Sequence, residues 1–243
     1  MQIFKKLRIA FIILLTAALA CIAAFVVYVN IYYHAEPVAV QAMASAEPVS
    51  VYDLQDGVMV FAPEEPLAGF IFYPGGKVEH TAYAPLLRAC AERQILCVLI
   101  RMPCNLAVLN ADGADGIQEQ FPEIGHWYIG GHSLGGAMAA SYAADHTDQF
   151  DGLVLLAAYS TRDLSQSELA VLSVYGSEDG VLDMEKYEQY RANLPADAVE
   201  VVVDGGCHAG FGYYGAQDGD GVPIISNDEQ ITKTVGKIAQ MID

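Results

Sequence analysis

The run Gly131-His132-Ser133-Leu134-Gly135-Gly136 is where this chain could do chemistry. A serine hydroxyl becomes a useful nucleophile only when a nearby base removes its proton and an acid holds that base in one tautomer. Gly131 and Gly135 flank Ser133 and leave room for a strand-to-helix turn tight enough to present the hydroxyl. A bare G-x-S-x-G recurs by chance, so the setting matters. The apolar run 127–130 before it reads as a strand, and the small-residue run through Ala137, Ala139, Ala140, Ala143 and Ala144 reads as a helix. That helix would start beneath Ser133, where its dipole favours developing negative charge. Ser133 is therefore the candidate nucleophile.

In a strand–turn–helix setting of this kind the partners follow the serine in the order acid, then histidine. Two histidines follow Ser133. His146 lies 13 residues further along the same helix, about 20 Å away along the axis, and cannot reach back. His208 sits in Gly205-Gly206-Cys207-His208-Ala209-Gly210, just past the strand expected at 199–203. Sites in open parallel sheets form at such carboxyl ends, so His208 is the candidate base. The strand expected at 171–175 leads into Gly176-Ser177-Glu178-Asp179-Gly180, where Asp179 is the candidate acid and Glu178 its near rival. Asp204 is less suited, being only four residues before His208.

An acyl-transfer intermediate also needs two backbone N–H donors for its oxyanion, one from the residue after the nucleophile and one from an earlier strand-to-helix loop. Leu134 supplies the first. The loop Tyr73-Pro74-Gly75-Gly76-Lys77 is placed for the second, with Gly76 the expected donor and Lys77 the rival.

Positioning these groups takes an alternation of strands and helices. Beyond residue 49, strands are expected at 58–61, 68–73, 95–101, 127–130, 153–157, 171–175 and 199–203, and helices at 81–93, 133–146, 184–192 and 228–241. The order implies an α/β class with a mostly parallel sheet and helices on both faces. The connection from 157 to 171 is too short for a cap domain, which leaves the site open.

The ordered set Pro74-Gly75-Gly76, Gly131-His132-Ser133-Leu134-Gly135-Gly136, Gly176 with Asp179 and Gly206 with His208 resembles the α/β-hydrolase superfamily. It is most similar to the compact, cap-less members grouped with dienelactone hydrolases and the bacterial "family 5" hydrolases. The resemblance implies the α/β-hydrolase fold and a Ser133–His208–Asp179 triad, with no cofactor and no metal. Pro74 departs from the histidine many relatives carry in that loop, and the family does not fix the acyl substrate. A carboxylic-ester hydrolase is the expected activity. An acyltransferase using the same acyl-enzyme, or an inactive fold kept as a binding module of the cell envelope, are the alternatives.

The segment after His208, with Phe211, Tyr213 and Tyr214, is expected either to line one wall of the site or to pack on the domain. Asp218 and Asp220 lack the further ligands of a calcium loop. Five cysteines, Cys21, Cys90, Cys97, Cys104 and Cys207, show no C-x-x-C spacing and leave disulfides open.

The N-terminus reads differently. After Lys5, Lys6 and Arg8, residues 9–29 carry no charge, and as a helix they would span about 31 Å, the thickness of a bilayer core. Tyr28, Tyr32 and Tyr33 cluster at the far end, as interfacial rings do. Positive charge lies before the segment and none follows until Lys77, so the positive-inside rule puts the N-terminus in the cytoplasm and the domain outside. The apolar run is long for a cleaved signal peptide, and it continues well past Cys21 for a lipoprotein. The expected layout is an anchor over 1–34, a tether over 35–48 and a hydrolase domain over 49–243. Past residue 34 there are 9 basic against 30 acidic residues, net −21. That charge excludes nucleic acid as a partner and leaves a small-molecule or lipid-like acyl substrate.

Overall fold

A computed structural model describes residues 2–55 and 57–242. The chain divides into two units, one ending at Tyr32 and one starting at Tyr33. The first is a single helix, α1 (Gln2–Asn30), long and apolar enough to cross a membrane. No glycine or proline interrupts it. The Thr16 hydroxyl in its middle turns back onto the carbonyls of Ile12 and Ile13 at 3.0 and 2.9 Å, so that group needs no partner from a lipid phase.

The second unit is built on an eight-stranded sheet. Its strands are β1 (Val49–Gln55), β2 (Val58–Pro63), β3 (Ala68–Tyr73), β4 (Ile95–Leu99), β5 (Trp127–His132), β6 (Gly152–Leu156), β7 (Ala170–Gly176) and β8 (Val199–Val203). They lie in the order β1-β2-β4-β3-β5-β6-β7-β8. From β4 to β8 every pairing is parallel, and β2 alone is reversed, pairing antiparallel with both β1 and β4. The helices are α2 (Pro37–Ala42), α3 (Ala84–Ala91), α4 (Leu134–Asp145), α5 (Met184–Tyr190) and α6 (Asn227–Ile242).

A strand buried on both faces reads as a continuous apolar run, and β3, Ala-Gly-Phe-Ile-Phe-Tyr, is buried throughout. Its side chains alternate between two cores. Phe70 and Phe72 join Leu86, Leu87 and Ile238 from α3 and α6 on one face. Ile71 and Tyr73 join Ala139, Ala140 and Ala143 from α4 on the other. The small α4 residues let that helix lie close to the sheet, which sets the height of Ser133 at its start.

Two expectations are corrected. Strand β1 was not anticipated, because an edge strand with exposed Tyr52 and polar Ser50, Asp53 and Gln55 lacks a buried face to signal it. Residues 35–48 are not a free tether. Val78 pairs with Tyr33, whose N–H donates to the Lys77 carbonyl at 2.8 Å while Glu79 N–H donates back to Tyr33 at 2.9 Å. Ala35 N–H meets the Glu79 carboxylate at 3.0 Å, and Glu36 N–H meets the Tyr213 carbonyl at 2.8 Å. Ala39 in α2 is fully buried, and Arg88 of α3 donates from Nε to the Ala42 carbonyl at 2.9 Å and from its other nitrogen to Ala44. Backbone hydrogen bonding of this kind leaves no periodic trace in sequence.

Candidate active site

Ser133 stands between β5 and α4 with φ 53° and ψ −123°, a region that non-glycine residues avoid and that costs about 1–3 kcal/mol. The surroundings hold it there. Its N–H donates to the Leu156 carbonyl at 2.8 Å, and its carbonyl accepts the first α4 bond from Ala137 at 3.1 Å. The first turn of α4 is pressed onto the end of β3, so that a methyl group on Gly135 would lie 2.3 Å from the carbonyl oxygens of both Tyr73 and Pro74. Glycine is required there by a close backbone approach.

His208 and Asp179 come from the loops after β8 and β7. The His208 Nδ1 lies 2.9 Å from Asp179 Oδ2 and 3.1 Å from Oδ1, and both side chains are 1% exposed. The carboxylate is itself oriented, since Oδ1 accepts from the N–H groups of Val181 and Leu182 at 2.9 and 2.8 Å. With Nδ1–H donated to Asp179, His208 carries its basic lone pair on Nε2. That atom is buried and has no hydrogen-bond partner among the described residues. Of the rival acids, Glu178 accepts from Ser177 Oγ at 2.9 Å, and the carboxylate on His208 Nδ1 is that of Asp179.

Ser133 and His208 line one cleft of about 310 Å³, walled by Leu134, Ala137, Ala158 and Leu182 among others. No hydrogen bond joins Ser133 Oγ to Nε2 in this structure, and such bonds commonly tighten only when substrate is bound. A larger hollow of about 580 Å³ lies between α5 and β8. There Tyr187 bonds Ser173 at 2.9 Å and Glu200 at 2.8 Å, so its polar groups satisfy one another, and it contains no histidine to activate a serine.

The loop after β3 sits against the start of α4, where a methyl group on Gly76 would lie 2.8 Å from the Leu134 side chain. Two of its amides are engaged: Gly75 N–H donates to the Tyr83 hydroxyl at 3.1 Å and Lys77 N–H to the Asn105 carbonyl at 2.7 Å. Those of Gly76 and Leu134 have no protein acceptor among the described residues. Of the two candidates in that loop, the geometry leaves Gly76 available and ties up Lys77.

Two residues that sequence reasoning passed over complete the surroundings. The Tyr83 hydroxyl, which accepts from Gly75 N–H, is also hydrogen-bonded to His132 Nδ1 at 2.8 Å. The His132 ring packs 4.5 Å from that of His208, centroid to centroid. Burial, then the charge His208 acquires when protonated, holds His132 well below the usual histidine range, so it stays neutral. Only its place inside the Gly-His-Ser motif hinted at it. The aromatics after His208 belong to the core: Phe211 is fully buried, and Tyr214 packs on Tyr33 and Tyr83 rather than in the cleft.

Cys90, Cys97 and Cys207 are buried, Cys21 and Cys104 exposed, and all five are free thiols. Among the described residues no group of three His, Cys, Asp or Glu side chains is placed to hold a metal ion.

The fold recurs widely among solved structures. Carboxyl esterase 2 from the mycorrhizal fungus Tuber melanosporum superposes with a TM-score of 0.59 at 12% identity, covering 88% of this chain and 92% of its own. Est1E from Butyrivibrio proteoclasticus gives 0.54 at 13%, over 81% and 99%. TT1662 from Thermus thermophilus gives 0.58 at 14%, over 80% and 98%. At these identities the likeness is one of fold. No match was found among curated protein sequences. The sequence model of the alpha/beta hydrolase family matches residues 69–232, a span that begins in β3 and ends in α6 and takes in all three side chains gathered at the strand ends. The chain belongs to the alpha/beta hydrolase family.

Proposed function

We propose that this protein is a serine hydrolase of carboxylic esters. The observation that carries the reading is the buried His208–Asp179 pair, whose unpartnered Nε2 shares a cleft with a serine on a strained turn. In this reading the substrate carbonyl enters over Ser133. His208 Nε2 takes the hydroxyl proton as Oγ attacks, Asp179 stabilises the imidazolium, and the N–H groups of Leu134 and Gly76 hold the oxyanion. His208 then gives the proton to the departing alkoxide. The resulting acyl-enzyme is hydrolysed by water through the same steps in reverse.

Leu134, Ala137, Met138, Ala157, Ala158 and Leu182 give the cleft an apolar lining. It suits an uncharged acyl chain and offers no fixed cation for a charged one. A buried carboxylate–imidazole pair is costly to maintain without a task, which favours an enzyme over a binding module. Fluorophosphonate labelling of the full chain tests the reading: labelling should occur, and should disappear in Ser133→Ala and His208→Ala. A folded wild-type chain that resists the reagent would contradict it.

The same reading makes α1 a retained anchor with the catalytic unit outside the cytoplasm, supported by Lys5, Lys6 and Arg8 on one side of an uncharged span. External protease added to intact cells should then cut the catalytic unit, and complete protection would overturn that orientation.

A further inference from the structure

The loop before α6 brings a second carboxylate to the site without touching the imidazole. Asp220 Oδ1 accepts from the backbone N–H of Gly180 at 3.1 Å, of His208 at 3.1 Å and of Gly221 at 2.8 Å. Its Oδ2 accepts from Ala209 N–H at 2.8 Å. One side chain thus grips the turn that carries Asp179 and the turn that carries His208. The loops are also in backbone contact. A methyl group on Gly221 would lie 1.9 Å from the Glu178 carbonyl oxygen, and one on Gly180 would lie 2.5 Å from that of Gly219.

An ionised carboxylate is an acceptor only, and four N–H donors match its lone pairs. Burial pushes the Asp220 carboxyl up, but the donors from Ala209, Gly180, His208 and Gly221 outweigh it and hold it below the usual range. Apart from Asp220, the tie nearest the imidazole is the Asp179–His208 bond itself; further back, Glu178 N–H donates to the Gly206 carbonyl at 2.8 Å, Ser177 N–H to that of Val203 at 3.0 Å and Gly205 N–H to Ser177 Oγ at 2.8 Å. A pair that must keep its geometry while the imidazole gains and loses a proton benefits from a clamp whose four acceptor bonds do not involve that proton.

We infer that Asp220 is a positioning residue for the reaction, clamping the acid loop to the base loop so that Asp179 and His208 hold their register through the catalytic cycle. The inference rests on the reading of Ser133, His208 and Asp179 proposed above. In Asp220→Asn the amide nitrogen replaces an acceptor with a donor facing N–H groups, so at least one of the four bonds is lost and the two turns slacken. A misplacement of about 1 Å in such a site lowers rate by about 100-fold.

The test uses the full chain in detergent, with p-nitrophenyl acetate turnover, the rate of fluorophosphonate labelling and the thermal unfolding midpoint measured together. Asp220→Asn should lower kcat and the labelling rate by about 10- to 100-fold with KM changed less than about twofold. Asp218→Asn, next but one along the loop, should behave as wild type. A folded Asp220→Asn with wild-type kcat overturns the inference, even if its unfolding midpoint drops, since that would be a stability role alone. If the variant does not fold, amide exchange in the wild type decides: slow exchange at Gly180, His208 and Ala209 is expected, and fast exchange at these amides overturns the clamp. A folded wild type that neither turns over nor labels removes the serine-hydrolase reading and this inference with it, whereas labelling at equal rates in wild type and Asp220→Asn removes only the clamp.

Discussion

At the scale of single residues, the proposed chemistry turns on which atom of His208 carries its proton. The Asp179 carboxylate accepts only, so Nδ1 must donate and Nε2 must present its lone pair toward the cleft. Asp179→Asn preserves the shape but can offer N–H to Nδ1, which favours the wrong tautomer. We expect kcat to fall by about 10⁴-fold with the protein still folded, read by ester turnover beside an unfolding curve. A loss of less than tenfold would mean that Asp179 does not orient the base. Neighbouring His132 gives a separate, thermodynamic prediction. Unfolded, it takes up a proton near pH 6.5; folded, it refuses one until well below that. The unfolded state therefore binds more protons between those two values, and this contribution to stability, intact above about pH 6.5, is lost as pH falls through that window. Unfolding midpoints measured from pH 7.5 down to pH 5 should drop more steeply in wild type than in His132→Asn.

At the scale of elements, the turn between β5 and α4 depends on how closely α4 approaches β3. Gly135→Ala would force a methyl group against two carbonyl oxygens at 2.3 Å. Because the obstacle is backbone rather than a flexible side chain, the expected loss is at the upper end of overpacking, about 3 kcal/mol or more. A chemical denaturation midpoint unchanged from wild type would show that α4 can shift without cost.

The same scale shows what the amino-acid sequence could reveal. Strands β3, β4, β5 and β6 were legible because they are buried throughout and largely apolar, and β7 and β8 because of their β-branched runs, although Val199 and Val202 of β8 are exposed. The juxtaposition of Ser133, Asp179 and His208 was legible because chain order and strand-end loops constrain where an acid and a base can fall. Strand β1 was not, since half of it faces solvent. Nor was the Tyr83–His132 contact, which joins residues 49 positions apart. The Asp220 carboxylate bonds backbone amides, which every residue but proline offers, so no side-chain partner marks it in the sequence.

At the scale of the whole molecule, the hydrolase-fold unit begins at Tyr33 rather than near residue 49. Tyr33 hydrogen-bonds the Gly76 loop's continuation at Lys77 and Glu79, and its hydroxyl accepts from the Asp218 N–H at 3.0 Å. Residues 33–48 are thus part of the support for two site loops. A fragment spanning 33–243 should fold and turn over ester at the full-chain rate. One spanning 49–243 should unfold at lower temperature, having lost the Tyr33 and Glu36 backbone bonds and the burial of Ala39. Equal melting temperatures for the two would show that this segment is dispensable. The net charge of −18 makes self-repulsion a cost of the compact state, so added salt should raise the unfolding midpoint of the full chain.

Activation of Ser133 by His208 is the step on which the proposed function stands. It is tested most directly by treating the folded full chain with a fluorophosphonate and locating the adduct by peptide mass spectrometry. A single adduct on Ser133 is expected, formed in wild type and absent in His208→Ala. An adduct on another residue, or labelling of Ser133 undiminished in His208→Ala, would contradict it.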